Sequence, residues 1–200
     1  MKANFAKVLI AGVLAVGLVG CAGSGGQSGG QSDNPVELVL GTDGIKSPLF
    51  GMGNGLSTAM ALNAKGVAVY NYATKGTKDN LKRLTKKKRA INLAAVLAKG
   101  LGKSKLRSKV QGVATLGSTK KKPDWVILVV RPKPPKGVSK KQYENAIYNL
   151  VLALQNKKTK KLMGKSWKRW APQPNPIVFK NVGVKMHPGA VRAYKKLGRL

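Results

Sequence analysis

Residues 36–84 carry one pattern twice: an apolar run, a polar loop, then a segment of helical character. The first apolar run is 36–40. Its loop is Gly41-Thr42-Asp43-Gly44-Ile45-Lys46-Ser47-Pro48, and the helical segment runs from about Gly55 to Lys65. The second run is Val67-Ala68-Val69-Tyr70-Asn71-Tyr72, followed by the loop Ala73-Thr74-Lys75-Gly76-Thr77 and a helical stretch over 78–84. A chain built this way folds as an open α/β sheet with both loops at the carboxyl ends of their strands. Free amide N–H groups and the positive ends of two helix dipoles converge at that edge. Two such loops side by side lead us to expect a pocket for a small anion.

The residue types narrow the reading. The order Gly41-Thr42-Asp43-Gly44, then Phe50, then Ala73-Thr74-Lys75-Gly76-Thr77-Lys78-Asp79-Asn80-Leu81 resembles the TAXI group of solute receptors, which serve tripartite ATP-independent periplasmic (TRAP) transporters. The far end is similar to the same family: a short apolar stretch, then His187-Pro188-Gly189-Ala190, then a helix with aromatic and basic residues. The resemblance implies a periplasmic-binding-protein-like open sheet with flanking helices. Family members have two lobes joined by crossing strands, with the ligand in the cleft. Two lobes of ~100–150 residues need a longer chain. The expectation is therefore one nearly complete lobe over 35–131 and a C-terminal return segment over 138–200, with most of the second lobe missing between Arg131 and Val138.

The resemblance also assigns roles. Gly41, Thr42, Asp43 and Gly44 would supply backbone amides and a polar side chain. Phe50 would pack on the ligand's carbon chain. Thr74, Gly76, Thr77 and Asn80 would form the second wall, with Thr77 in place of the family's Ser. The implied ligand is a small organic anion, a glutamate-like amino acid or a dicarboxylate. The first loop departs from the family pattern, with Ile45, Lys46, Ser47 and Pro48 where further Gly and Thr stand. Pro48 removes an amide donor. Lys46 and Lys75 add charge that would steer anions.

An address precedes the folded part. Lys2 and Lys7 precede a short apolar region over 8–19, and Leu18-Val19-Gly20-Cys21 resembles a bacterial lipoprotein processing site. The expected layout is a signal peptide over 1–20, lipid on Cys21, a Gly/Ser-rich tether over 21–34 and a solute-binding α/β domain over 35–200. Cys21 would anchor the chain to a bacterial membrane, in the periplasm or at the cell surface. The alternative is a plain signal peptide in which Cys21 is incidental. As the one cysteine, it excludes an intramolecular disulfide.

Charge enters as the second constraint. There are 38 Lys plus Arg against six acids, a net charge of +32. Such a field holds polyanions and anionic membranes at low salt. No zinc-ligand set, aromatic RNA-binding signature or recognition helix accompanies it.

Along the rest of the chain, 91–97 is either a short strand or a buried helix, which periodicity does not decide. Residues 99–109 read as a loop, and 110–116 and 125–131 as strands similar to the family's hinge-side pair. Ser139 with Gln142 makes a capping box for a helix whose inner face is Tyr143, Ile147, Leu150 and Leu154. Residues 157–165 read as basic and weakly structured. Ser166-Trp167-Lys168-Arg169-Trp170 interleaves aromatics with cations. It could stack on bases or sugars or lie at a membrane interface, but packing against the preceding helix is the preferred reading. His187 is the one histidine and would fix the start of the last helix.

Three functions compete on this reading. The first is a membrane-tethered solute receptor partnered by transporter subunits, with no cofactor and no specific nucleic acid. The second is a cationic lipoprotein that clings to anionic polymers or membrane surfaces. An enzyme is disfavoured, because no nucleophile elbow, phosphate loop or paired-carboxylate spacing is present.

Overall fold

A computed structural model describes residues 34–86, 90–119 and 124–200. The expected signal peptide, Cys21 and nearly all of the tether lie outside the described residues, as do 87–89 and 120–123.

The fold is α/β. Strands β1 (Val36–Gly41), β2 (Val67–Tyr72), β3 (Leu93–Leu97), β4 (Gln111–Ser118) and β5 (Trp125–Val130) form one mixed open sheet in the order β2-β1-β3-β5-β4. β1 pairs in parallel with β2 and β3, while β5 runs antiparallel between β3 and β4. Among the described residues, seven α-helices accompany the strands: α1 (Pro48–Asn63), α2 (Thr77–Thr85), α3 (Ala98–Gly102), α4 (Lys140–Gln155), α5 (Lys157–Ser166), α6 (Pro176–Val182) and α7 (Pro188–Lys196).

Side-chain alternation sorts the helices between the two faces. Leu93, Ala95, Val126, Leu128 and Val130 join α1, α4, α5 and α7 in one core. Ala94, Val96, Ile127 and Val129 join α2, α3 and α6 in the other. Pairing with β1 and β5 settles 93–97 of the ambiguous stretch as strand β3, and burial on both faces explains why β5 reads as a continuous apolar run. The α4 prediction holds in detail. Ser139 and Gln142 form the capping box, and Tyr143, Ile147, Leu150 and Leu154 are buried.

Four local expectations need correction. α1 starts at Pro48 rather than near Gly55, because Ser47 caps it and Pro48 takes the first turn. Residues 98–102 are helical and 107–109 form a 3-10 turn where a loop was expected, since Ala98 and Leu101 find burial beneath α6. The stretch 157–165 is the well-formed α5. Asn156 caps it, and Thr159 and Met163 pack inward. Tertiary burial there overrides the repulsion between its lysines. The short apolar stretch before His187 contributes only a single bridge, Gly112 to Met186.

The connection from Arg131 to Val138 lies at the sheet edge opposite the two loops. Val130 pairs with Leu93 and Gln111, at the starts of β3 and β4. At the loop edge itself, β4 and β5 join in a hairpin in which Thr119 N–H donates to Asp124 O at 3.0 Å.

Candidate functional site

The parallel register Val36–Val67 through Gly41–Tyr72 brings the two loops to one edge. They bond directly to each other. Thr74 N–H donates to Asp43 O (3.2 Å), and the Thr74 hydroxyl donates to Thr42 O (3.1 Å). The Asn80 amide group, fully buried, reaches Thr42 O (2.6 Å), Ala95 O (3.0 Å) and Gly41 O (3.2 Å). Thr42 turns its hydroxyl to Asn71 Oδ1 (2.9 Å), and the Thr77 hydroxyl accepts from Leu97 N–H (3.0 Å). Gly41, Thr42, Asp43, Thr74, Gly76, Thr77 and Asn80 therefore meet, as the loop pattern anticipates. The side chains of Thr42, Thr74, Thr77 and Asn80 are engaged in holding the loops together. Gly41 is needed for this approach, because a Cβ there would lie 2.6 Å from Ile91 Cδ1 and 2.7 Å from Asn80 Oδ1.

The N-terminus of α1 is answered from within the chain. Ser47 Oγ accepts from Leu49 N–H, and Ser47 O from the N–H groups of Phe50 and Gly51. Pro48 therefore costs no available donor. At α2, Gly76 gives no side-chain cap, but the Asp43 carboxylate packs against it while accepting from Gly44 N–H (2.8 Å). Asp79 accepts from Lys75 N–H (3.1 Å) and Arg83 (2.8 Å). Burial pushes the Asp79 carboxyl up, yet the Arg83 hydrogen bond, the Lys75 N–H and the two nearby cations together hold it below the usual range. Two native acids thus stand where a guest anion was expected. Lys46 and Lys75 are exposed beside them, and half-buried Phe50 gives its carbonyl to Asn71 Nδ2.

A cleft of about 460 Å³ opens next to the first loop. It lies between Ser47–Leu49, Leu97, the end of β4 at Ser118 and Thr119, and the segment from Ser166 to Arg169. Its wall offers hydroxyls, the Trp167 indole, Lys168 and Arg169. A carboxylate-bearing solute could meet cations, hydrogen-bond donors and an aromatic face there together. Of the lining residues, only the first-loop positions Ser47 and Pro48 belong to the sequence-predicted edge. Trp167, Lys168 and Arg169 carry a visible signal, aromatics among cations, which the sequence reading favours as packing. The buried Trp170 packs in the core, and the partly buried Trp167 packs against it while also lining the cleft. Ser118 and Thr119 carry no local signal.

The cleft depends on a close passage of chain. β4 bulges between Thr115 and Gly117. Gly117 has φ +130°, and a Cβ on it would collide with Arg169 O. Ala171 N–H donates to Leu116 O (3.1 Å), and Arg169 reaches Thr119 O (2.6 Å). Gly117→Ala should cost about 1–3 kcal/mol by forcing β4 and the Arg169 segment apart. Urea unfolding would measure it. An unchanged midpoint would mean that the bulge relaxes freely.

His187 is 2% exposed and caps α7, its Nδ1 accepting from Gly189 N–H at 3.2 Å. It meets the Tyr143 ring edge-on at 5.2 Å. Burial pushes its pKa down to about 4. Among the described residues, no three His, Cys, Asp or Glu gather as a metal site, and no helix is long and apolar enough to cross a membrane. No protein-family model matches the chain, and no curated protein matches it.

Proposed function

We propose that this protein captures a small organic anion, a glutamate-like amino acid or a dicarboxylate, in the cleft between the first loop and the segment from Ser166 to Arg169. The observation that carries the reading is the cleft's composition: four hydroxyl-bearing residues, one indole and two cations, beside the apolar Pro48, Leu49 and Leu97, at the carboxyl edge of the parallel strands. The likeness of its two loops and its His187–Ala190 turn to TAXI receptors supports a role as a TRAP-type receptor. The lipoprotein-like leader supports a membrane-tethered, extracytoplasmic protein. The Gly41–Gly44 and Thr74–Asn80 loops then serve chiefly as the frame that positions Ser47–Leu49.

Calorimetry of the full chain against a panel of dicarboxylates and amino acids in moderate salt tests this. At least one ligand should bind with a Kd of about 1 mM or tighter. Trp167→Ala and Lys168→Gln should each weaken it about tenfold. Absence of heat across the panel, or indifference to both substitutions, overturns the reading.

The outer face of α5 favours a second reading. Lys157, Lys158, Lys160, Lys161 and Lys165 are all exposed on it. A cationic protein that clings to polyanions would show affinity that falls steeply with salt and ignores Trp167→Ala.

A further inference from the structure

The layer of α2, α3 and α6 stops short of the outermost strand, β2. That strand gives Val67 and Val69 to the core on the α1 side and no residue to the core on the other. Its alternate side chains, Ala68, Tyr70 and Tyr72, therefore stand on an uncovered face. Tyr70 is 53% exposed and Tyr72 42%. On neighbouring β1 the same face carries exposed Glu37 opposite Ala68, and half-buried Val39 opposite Tyr70. Arg83 of α2 lies over the Tyr72 ring, 5.7 Å from its centroid. The other outermost strand, β4, is already closed by bridges from Gly112 to Met186 and from Thr115 to Gln173. Parallel strands are normally covered on both faces, so two bare phenols side by side on β2 mark a contact surface.

Charge says what kind of occupant fits. Residues 36–81 build β1, α1, β2 and the start of α2, and they hold four lysines and three of the chain's six acids. This end therefore carries a net charge of +1 out of +32. Residues 82–200 hold 32 cations against Asp124 and Glu144. The lysine-rich α5 packs on α1, on the sheet's other face. A polyanion or an acidic protein is drawn to the lysine-rich surfaces and away from this strip. Another strongly basic body meets least repulsion here. The strip is also suited to meeting its own copy, because Glu37 and Arg83 stand at its opposite ends.

We propose that a second copy of this chain docks on the uncovered face of β2, with the two strips packed about a two-fold axis beside Tyr70. That rotation brings Tyr70 and Tyr72 of one copy onto those of the other. It also turns the Glu37 of each copy towards the Arg83 of the other, and it keeps the two lysine-rich α5 faces apart. Such a contact uses the same surface on both copies, so it closes at two. None of the residues lining the solute cleft belongs to it.

The test is sedimentation velocity on the full chain over a range of concentrations, at low and at high salt. A reversible dimer should appear with a Kd of about 10–100 µM. It should tighten as salt rises, because screening weakens the repulsion between two basic bodies. Tyr70→Ser with Tyr72→Ser should weaken the dimer at least about tenfold, and Glu37→Lys should weaken it by a smaller factor. Ile177→Ser changes a side chain that is 72% exposed on α6, outside the strip, and should leave the dimer unchanged. The urea midpoint of each variant checks that it has folded. The proposal is overturned by a monomer at every concentration and salt, or by association that weakens with salt or grows past two copies. A dimer indifferent to the tyrosine pair overturns it equally.

Discussion

Acidification from pH 7 to 4 should remove about 3 kcal/mol of stability through His187 alone. In the unfolded chain the imidazole takes a proton near its ordinary value of 6.5, whereas burial holds the folded group down to about 4. The unfolded state therefore binds the proton first. The contribution is intact above 6.5, erodes as pH falls through the window, and is gone near 4, at about 1.4 kcal/mol per unit between the two values. The geometry says what protonation breaks. Nδ1 is the acceptor for Gly189 N–H and must be bare to cap α7. The Tyr143 ring meets the imidazole nearly at a right angle, and burial alone shifts the group, with no charged neighbour contributing among the described residues. His187→Asn separates this effect from the titration of the acids, because asparagine keeps a capping oxygen and cannot titrate here. The variant should be less stable at pH 7, having lost the packing on Tyr143, yet its urea midpoint should fall less between pH 7 and 4. Parallel losses in the two proteins would show that His187 does not govern the acid response.

What the sequence made legible was local. Two strand–loop–helix units, the capping box at Ser139 and the apolar run of β5 each announce themselves within about a dozen residues. α5 was hidden because its lysines repel at three- and four-residue spacing, and only contact with the rest of the fold tips the balance. Asn63 Nδ2 donates to Thr159 Oγ1 at 3.2 Å, a partner 96 positions away. The cleft was hidden for the same reason. Ser47, Leu97, Ser118 and Trp167 meet only because β5 runs antiparallel between β3 and β4 and a glycine bulge lets the Trp167 segment come close. Nothing in the spacing of these residues encodes that register. The loop residues show the opposite case: their clustering was legible, but their bonding was not. A Thr or Asn at a strand's carboxyl end reads equally well as a ligand contact or as a clasp, and the partners that decide are backbone carbonyls on other segments.

Asn80 is where that ambiguity has the largest consequence, and Asn80→Ala should destabilise the fold by about 2–5 kcal/mol. Its amide has two protons for three carbonyls, so the 2.6 Å contact to Thr42 O and the 3.0 Å contact to Ala95 O are the strong ones, with Gly41 O at 3.2 Å sharing. These carbonyls belong to the first loop and to β3, while Asn80 belongs to α2. One side chain therefore ties three segments at a point with no access to water. Alanine leaves Ala95 O without this donor, strips Thr42 O down to the Thr74 hydroxyl, and opens a void beside Gly41. Asn80→Asp should be as damaging or worse despite its matched shape, since a carboxylate would point an acceptor at three acceptors in a buried site. A residue that merely touched a ligand would behave differently, losing affinity in both variants while keeping its urea midpoint. If Asn80→Ala unfolds at the wild-type midpoint but no longer takes up the solute, Asn80 faces the guest, and the binding site moves from the Trp167 cleft back to the two loops.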